Sequence, residues 1–134
     1  MTHPNDEQIG GSHYRPAGAD NYQVWDFIAD AEMDYFTGSA FAYVARAHLK
    51  GNEKEDLRKA GHYVRKLISL IEQPKYADNF GGTGHPLPWE RFCATLASIP
   101  PYRLTILNYL HRWACDVELL HCLSLLEDEI ATLT

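Results

Sequence analysis

Apolar residues recur at helical spacing over most of the chain, which predicts an all-α fold. Three helices are expected in the N-terminal half, at about residues 22–31, 39–49 and 54–72. Asp20 or Asn21 is the expected cap of the first helix, and Thr37 or Ser39 that of the second. Gly61 falls inside the apolar stripe of the third helix, which indicates close helix packing rather than a break.

The C-terminal half begins with residues 73–90, a stretch rich in helix breakers that is predicted to form a long loop, often a lid or binding loop. A short helix is expected at about residues 89–97, and Pro100-Pro101 starts another, since proline is tolerated in a first turn. Because no glycine or proline occurs between Tyr102 and Thr134, that stretch is one long helix or two helices joined near Asp116.

Apolar residues occupy nearly every face of this last stretch, and a chain of 134 residues can hardly cover all of them. Self-association is the simplest way to bury them. We therefore expect one domain over residues 1–134, folded as a compact helical bundle and assembled as a homo-oligomer. Residues 91–134 form its helical oligomerisation half.

Charge is distributed unevenly along the chain. The formal net charge of −6 argues against a protein that coats a nucleic acid polymer, because such proteins carry an excess of cations. Residues 46–66 nevertheless hold seven of the twelve Lys and Arg residues. This pattern suits a local anion site, and a solvated helix face is the alternative interpretation.

The chain shows no sign of export or of a membrane span. Its first residues have neither a basic nor an apolar region of the kind found in signal peptides. No run approaches the ~20 apolar residues of a membrane-spanning helix. The three cysteines form no CxxC motif, and we expect them to be reduced thiols. We therefore expect a cytoplasmic protein without a membrane partner.

A diglycine segment near the N-terminus is the first candidate for ligand chemistry. Gly10 and Gly11 let backbone N–H groups approach an anion closely, and His13 and Tyr14 add donors. We predict an ordered, Gly-rich N-terminal loop at this place. A flexible tail is the alternative interpretation.

The second candidate is a polar stripe on the second helix, formed by Ser39, Tyr43, Arg46 and Lys50. A guanidinium and an ammonium one turn apart can grip a phosphate, and a tyrosine can stack on a base or donate a hydrogen bond. A hydrated outer face is the alternative.

The third candidate lies on the third helix, around Asp56, Lys59, His62 and Tyr63. Glu55 and Lys59 form an i,i+4 pair, for which support of the helix is a sufficient explanation. His62, as a neutral imidazole, is the candidate proton acceptor. Asp56 falls near the helix start, where a carboxylate also serves as a cap.

A fourth set of residues is spaced along the last helical stretch: His111, Cys115, Glu118 and Cys122. One straight helix usually gives a metal only two or three ligands. We expect a mixed packing face here and no metal site.

Several of these segments, in this order, resemble the SaV-like family of phage proteins, a domain of unknown function. They are IGGSHY (9–14), MDYFTGSAFAYVAR (33–46), HLKG (48–51) and EDLRKAGHY (55–63). The resemblance covers about residues 9–72 and implies that residues 1–72 form a nucleotide-binding half. Residues 73–134 resemble no family.

One characterised member of that family is an oligomeric kinase of deoxynucleoside monophosphates that lacks a Walker motif, and another is linked to a bacterial defence system. The resemblance implies the following site: Gly10, Gly11, His13, Tyr14, Tyr43, Arg46, Asp56, Lys59, His62 and Tyr63. If the chain is a kinase, Asp56 and His62 are its catalytic candidates, and Mg²⁺ is a possible cofactor. No other cofactor is implied.

The chain departs from the family pattern at two positions, Ser39 and Ala42, where an asparagine and a lysine are usual. A lysine is an obvious ligand for a transferring phosphoryl group, so its loss counts against a kinase more than against nucleotide binding. We expect a phage nucleotide-binding protein that is either a kinase or a non-catalytic oligomer. The latter would sequester a nucleotide immune signal as an anti-defence protein.

Overall fold

The computed structural model describes residues 22–49, 51–76, 78–81, 86–95 and 99–133, and these residues form α-helices and turns without a strand. The helices are α1 (Val24–Asp30), α2 (Tyr35–Arg46), α3 (Glu53–Ile71), α4 (Pro86–Thr95), α5 (Pro101–Arg112) and α6 (Asp116–Ala131). Two short 3₁₀ turns lie at Ala47–Leu49 and Pro74–Tyr76. The all-α prediction is confirmed.

Side-chain caps place the starts of α1 and α2 differently from the prediction. Gln23 is the N-cap of α1, and its backbone N–H donates to Asp26 Oδ2 at 2.9 Å. The carboxylate of Asp34 caps α2 by accepting from the backbone N–H of Thr37 at 2.9 Å and from its hydroxyl at 2.7 Å. The predicted caps were therefore wrong, and α2 begins four residues earlier than expected.

The other boundaries follow the sequence more closely. Helix α3 lies within one residue of its predicted range at each end. Gly51 follows the helical segment with a φ of 78°, the left-handed conformation that favours glycine at a helix C-terminus. Helix α4 begins at Pro86, inside the predicted loop, because proline fits a first helical turn. The break between α5 and α6 confirms two helices joined near Asp116.

The core lies where α2 packs on α3, with α5 against α2 and α6 against α3. At its centre the buried Phe27 ring lies 5.1 Å from that of Phe41 and 4.8 Å from that of Phe92. The buried His111 ring is stacked on Trp89, with centroids 5.3 Å apart. Helices from both halves of the chain therefore build one core.

Two polar contacts tie α5 to the N-terminal helices. The Nε1–H of the buried Trp113, just after α5, donates to Thr37 Oγ1 at 3.2 Å. The fully buried guanidinium of Arg103 lies 2.6 Å from a carboxylate oxygen of Glu53 on α3 and 3.5 Å from one of Glu129 on α6. Sequence reasoning missed Arg103, because nothing local distinguishes it from an exposed arginine.

The outer face of α6 leaves apolar side chains exposed: Val117 is 68% exposed and Leu120 51%. This agrees with the expected all-round apolar character, while self-association through this helix stays a prediction. Among the described residues, none of the helices has both the length and the hydropathy needed to span a bilayer.

Two helical glycines differ in the room around them. A Cβ on Gly61 would meet Leu123 Cδ1 at 3.7 Å, an ordinary contact, whereas one on Gly38 would meet Ile28 Cγ2 at 3.0 Å. We expect Gly61→Ala to raise the free energy of unfolding by about 0.5–1 kcal/mol through helix propensity. At Gly38 crowding against Ile28, which typically costs about 1–3 kcal/mol, should outweigh the same gain in helix propensity, so Gly38→Ala is expected to lower the free energy of unfolding. Urea unfolding of both variants tests this, and a stabilising Gly38→Ala would contradict it.

Candidate functional site

Two tyrosines meet where α2 packs on α3 at the protein surface. The rings of Tyr43 from α2 and Tyr63 from α3 are stacked, with centroids 5.9 Å apart and planes inclined by 21°. Each side chain is half-buried. The ring pair stands between two surface grooves and lines both of them.

The larger groove has a volume of about 720 Å³, and four of its six lining residues are ionisable side chains other than tyrosine. Besides the tyrosine pair, its lining residues all come from α3: Glu55, Arg58, Lys59 and His62. The ammonium of Lys59 lies 5.6 Å from the centre of the Tyr43 ring, within cation–π range. Two cations against one carboxylate make this groove suitable for an anion.

The smaller groove has a volume of about 400 Å³ and is more mixed in character. Besides the tyrosine pair, it is lined by Ile28, Met33, Asp34, Tyr35, Gly38, Ser39, Ala42 and Arg46. The guanidinium carbon of Arg46 lies 4.7 Å from the centre of the Tyr43 ring. Each groove therefore supplies one cation to the same aromatic ring.

The hydroxyl of Tyr63 lies in a small hydrogen-bond network with Tyr35 and Ser39. The hydrogen bond with Tyr35 raises the pKa of Tyr63 above its ordinary value of 10.0, and burial adds to this. The hydrogen bond with Ser39 acts in the opposite direction. Tyr63 is therefore neutral at physiological pH and presents an uncharged phenol to both grooves.

The structure brings together most of the predicted site residues that it describes. Tyr43 and Arg46 line the smaller groove, as the predicted stripe on α2 requires, and Lys59 and His62 line the larger one. Asp56 differs from these residues, because its side chain is 0% exposed and lines neither groove. The remaining predicted residues lie outside the described ranges: Gly10, Gly11, His13, Tyr14 and Lys50.

Among the charged and aromatic residues that line the grooves, sequence reasoning missed four: Glu55 and Arg58 in the larger groove and Asp34 and Tyr35 in the smaller one. Glu55 had been explained by its pair with Lys59. A signal for Arg58 was available, because residues at i and i+4 share a helix face and Arg58 precedes His62 by four positions. Tyr35 gave no such signal, since its place follows from the early start of α2.

The four residues considered for a metal lie in different surroundings, although the thiol of Cys115 donates to Glu118 Oε1 at 3.7 Å. His111 is buried against Trp89, whereas the thiol of Cys115 is exposed. Glu118 accepts from the backbone N–H of Ala114 at 2.9 Å, at the start of α6. Burial raises the pKa of the Cys122 thiol to about 12. In the part of the chain that the structure describes, no three potential ligands come together for a metal ion.

Comparison with known proteins gives one result. Neither the curated proteins nor the solved structures include a significant match to the chain. Residues 4–65 match the model of a family described as a protein of unknown function, DUF3310. The lining residues of both grooves lie between Ile28 and Tyr63. The segment that matches DUF3310 is therefore the segment that builds both grooves.

Proposed function

We propose that the grooves beside the Tyr43–Tyr63 pair bind a phosphate-bearing nucleotide. The observation that carries this proposal is the Tyr43 ring, which has the guanidinium of Arg46 at 4.7 Å and the ammonium of Lys59 at 5.6 Å. The two cations attract the phosphate, and the tyrosine pair beside them offers a base aromatic surface. The resemblance to SaV-like phage proteins independently implies a nucleotide ligand.

The local charge supports an anionic ligand despite the net charge of −6. Arg58 and Lys59 are exposed at the larger groove, and Glu55 is the carboxylate that lines it with them. The two cations outnumber the one carboxylate, so the charged side chains of this groove have a net positive charge that attracts an anion. Free nucleotides are small enough to use such a patch, whereas the net charge of −6 argues against binding of a nucleic acid polymer.

Two functions are compatible with nucleotide binding, phosphoryl transfer and sequestration. We propose that sequestration is the primary one. A carboxylate that holds Mg²⁺ for a kinase must reach the bound phosphates. Asp56 is 0% exposed and lines neither groove, which favours a structural role for it in the first turn of α3. Binding without transfer needs only the cations, donors and rings that line the grooves.

In this proposal the protein is a cytoplasmic, homo-oligomeric phage protein that withdraws a nucleotide signal from a host defence. A kinase of deoxynucleoside monophosphates is the alternative, with His62 at the larger groove as its proton acceptor and Mg²⁺ as its cofactor. The discriminating experiment incubates the protein with a nucleotide panel, with and without ATP and Mg²⁺. Chromatography then identifies the ligand after heat denaturation. Intact ligand supports sequestration, and a diphosphate formed from a monophosphate establishes the kinase.

A charge-removing pair of variants on α3 tests the site itself. Lys59→Ala should weaken binding of dAMP, measured by isothermal titration calorimetry, by about tenfold, because a charge-assisted hydrogen bond contributes about 1.5–3 kcal/mol and the groove is open. Lys66→Ala is the matched control, since Lys66 is exposed on the same helix and lines neither groove. Equal affinities of the two variants would remove Lys59 from the site.

A further inference from the structure

We propose that the two grooves hold the two halves of one ligand, a dinucleotide whose linkage crosses the Tyr43–Tyr63 pair. This inference rests on the proposed function and names the class of ligand that the site takes. A dinucleotide site differs measurably from a mononucleotide site, because both grooves contribute to the binding of one ligand.

Each groove has the features of a ligand site on its own. Volumes of about 720 and 400 Å³ both fall within the range of roughly 300–1,000 Å³ that is typical of small-molecule sites. Arg58 and Lys59 serve the larger groove, and Arg46 serves the smaller one. Each groove therefore offers cations to a phosphate group beside one carboxylate, Glu55 in the larger groove and Asp34 in the smaller one.

The two grooves differ in their lining residues, and the two units of a 5′-phosphorylated dinucleotide differ in a matching way. All the residues of the larger groove other than the tyrosine pair are ionisable, which suits a terminal phosphate with its two negative charges. The smaller groove combines the apolar side chains of Ile28, Met33 and Ala42 with one cation, Arg46, and one carboxylate, Asp34, which is engaged as the N-cap of α2. This combination suits a base together with a single phosphodiester.

Tyr35 lines the smaller groove but not the larger one. Its ring is 69% exposed and meets the Tyr63 ring edge-on, with centroids 6.0 Å apart and planes inclined by 75°. Burying such an exposed ring against a flat ligand removes apolar area from water and adds base–aromatic stacking. The smaller groove therefore has an aromatic platform of its own for a second base.

One ligand in both grooves is favoured over two separate ligands because the grooves share a wall. Tyr43 and Tyr63 line both, so ligands in the two grooves would be immediate neighbours. A covalent link between them turns the second binding event into an intramolecular one, with an effective concentration of about millimolar or higher. A dinucleotide should therefore bind more tightly than either of its units.

The test compares three probes on the full chain by isothermal titration calorimetry: dAMP, deoxyadenosine 3′,5′-bisphosphate and the 5′-phosphorylated dinucleotide pdApdA. We expect pdApdA to bind at least about tenfold more tightly than dAMP, with the bisphosphate between them. Equal affinities of pdApdA and dAMP would overturn this inference and leave nucleotide binding intact. A bisphosphate that binds as tightly as pdApdA would overturn the assignment of a base to the smaller groove. If none of the probes binds, the proposed function itself fails.

The variant Arg46→Ala assigns the second unit to a groove. It should lower the affinity for pdApdA more than that for dAMP and bring the two affinities to within about threefold of each other. Lys66→Ala, outside both grooves, should keep the wild-type ratio. A ratio that survives Arg46→Ala would exclude the smaller groove as the second subsite. Thermal unfolding of each variant verifies that it is folded.

Discussion

Arg103→Ala is expected to lower the free energy of unfolding by about 3–5 kcal/mol, the cost typical of breaking a buried ion pair from one side. The guanidinium of Arg103 is fully buried between Glu53 and Glu129. Removing it leaves two carboxylates facing each other without their cation, one of them only 12% exposed. It also loosens the contact of α5 with the first turn of α3, the helix that carries most of the larger groove. Urea unfolding monitored by circular dichroism measures the change.

Arg65→Ala is the matched control for this prediction. Arg65 forms a salt bridge with Glu127 at 3.2 Å, and both side chains are 54% exposed. Exposed pairs contribute at most about 1 kcal/mol, because water screens them and two long side chains must be ordered. If Arg103→Ala were no more destabilising than Arg65→Ala, the buried network would not be holding the three helices together.

Leu119→Ala is expected to lower the free energy of unfolding by about 2–5 kcal/mol, because it removes a side chain that is 0% exposed and leaves a cavity between α6 and the rest of the core. The neighbouring Leu120 is 51% exposed. Leu120→Ala deletes the same atoms from the same helix and should cost less than about 1 kcal/mol in a monomer. Both values come from urea unfolding at low protein concentration.

The same pair of variants tests the expected self-association. If α6 pairs with a second copy of the chain through its outer face, Leu120→Ala should weaken the oligomer while leaving the protomer folded. Size-exclusion chromatography with light scattering measures the mass of both proteins. A stable wild-type monomer at high concentration would refute self-association, and an oligomer unaffected by Leu120→Ala would place the interface elsewhere.

The helices of this fold were largely predictable from the sequence, since their signals are local. The apolar stripe of α3 fixed its bounds to within a residue, and the proline pair fixed the start of α5. The start of α2 was not predicted, because Asp34 and Thr37, three residues apart, are both suitable N-cap residues. The hydroxyl of Thr37, which donates to the capping carboxylate of Asp34, also accepts a hydrogen bond from Trp113, 76 positions away.

The candidate site was predictable only where its residues share one helix. Tyr43 and Arg46 follow from the periodicity of α2, and Lys59 and His62 from that of α3. The convergence of these two helix faces is a tertiary result, as is the burial of Asp56. Arg103 illustrates the same limit, because its burial depends on carboxylates contributed by α3 and α6, distant in sequence.

The hydrogen bond from Trp113 to Thr37 has a consequence for how the chain is divided. The family match ends at residue 65, inside α3, while Leu67 and Leu70 beyond it are buried. The first turn of α2, which borders the smaller groove, is anchored by an indole 76 positions away. The groove-lining residues and the residues that support them thus occupy different stretches of the chain but share one core. A fragment that ended at residue 65 would keep the lining residues but lose the buried residues that pack against α2 and α3.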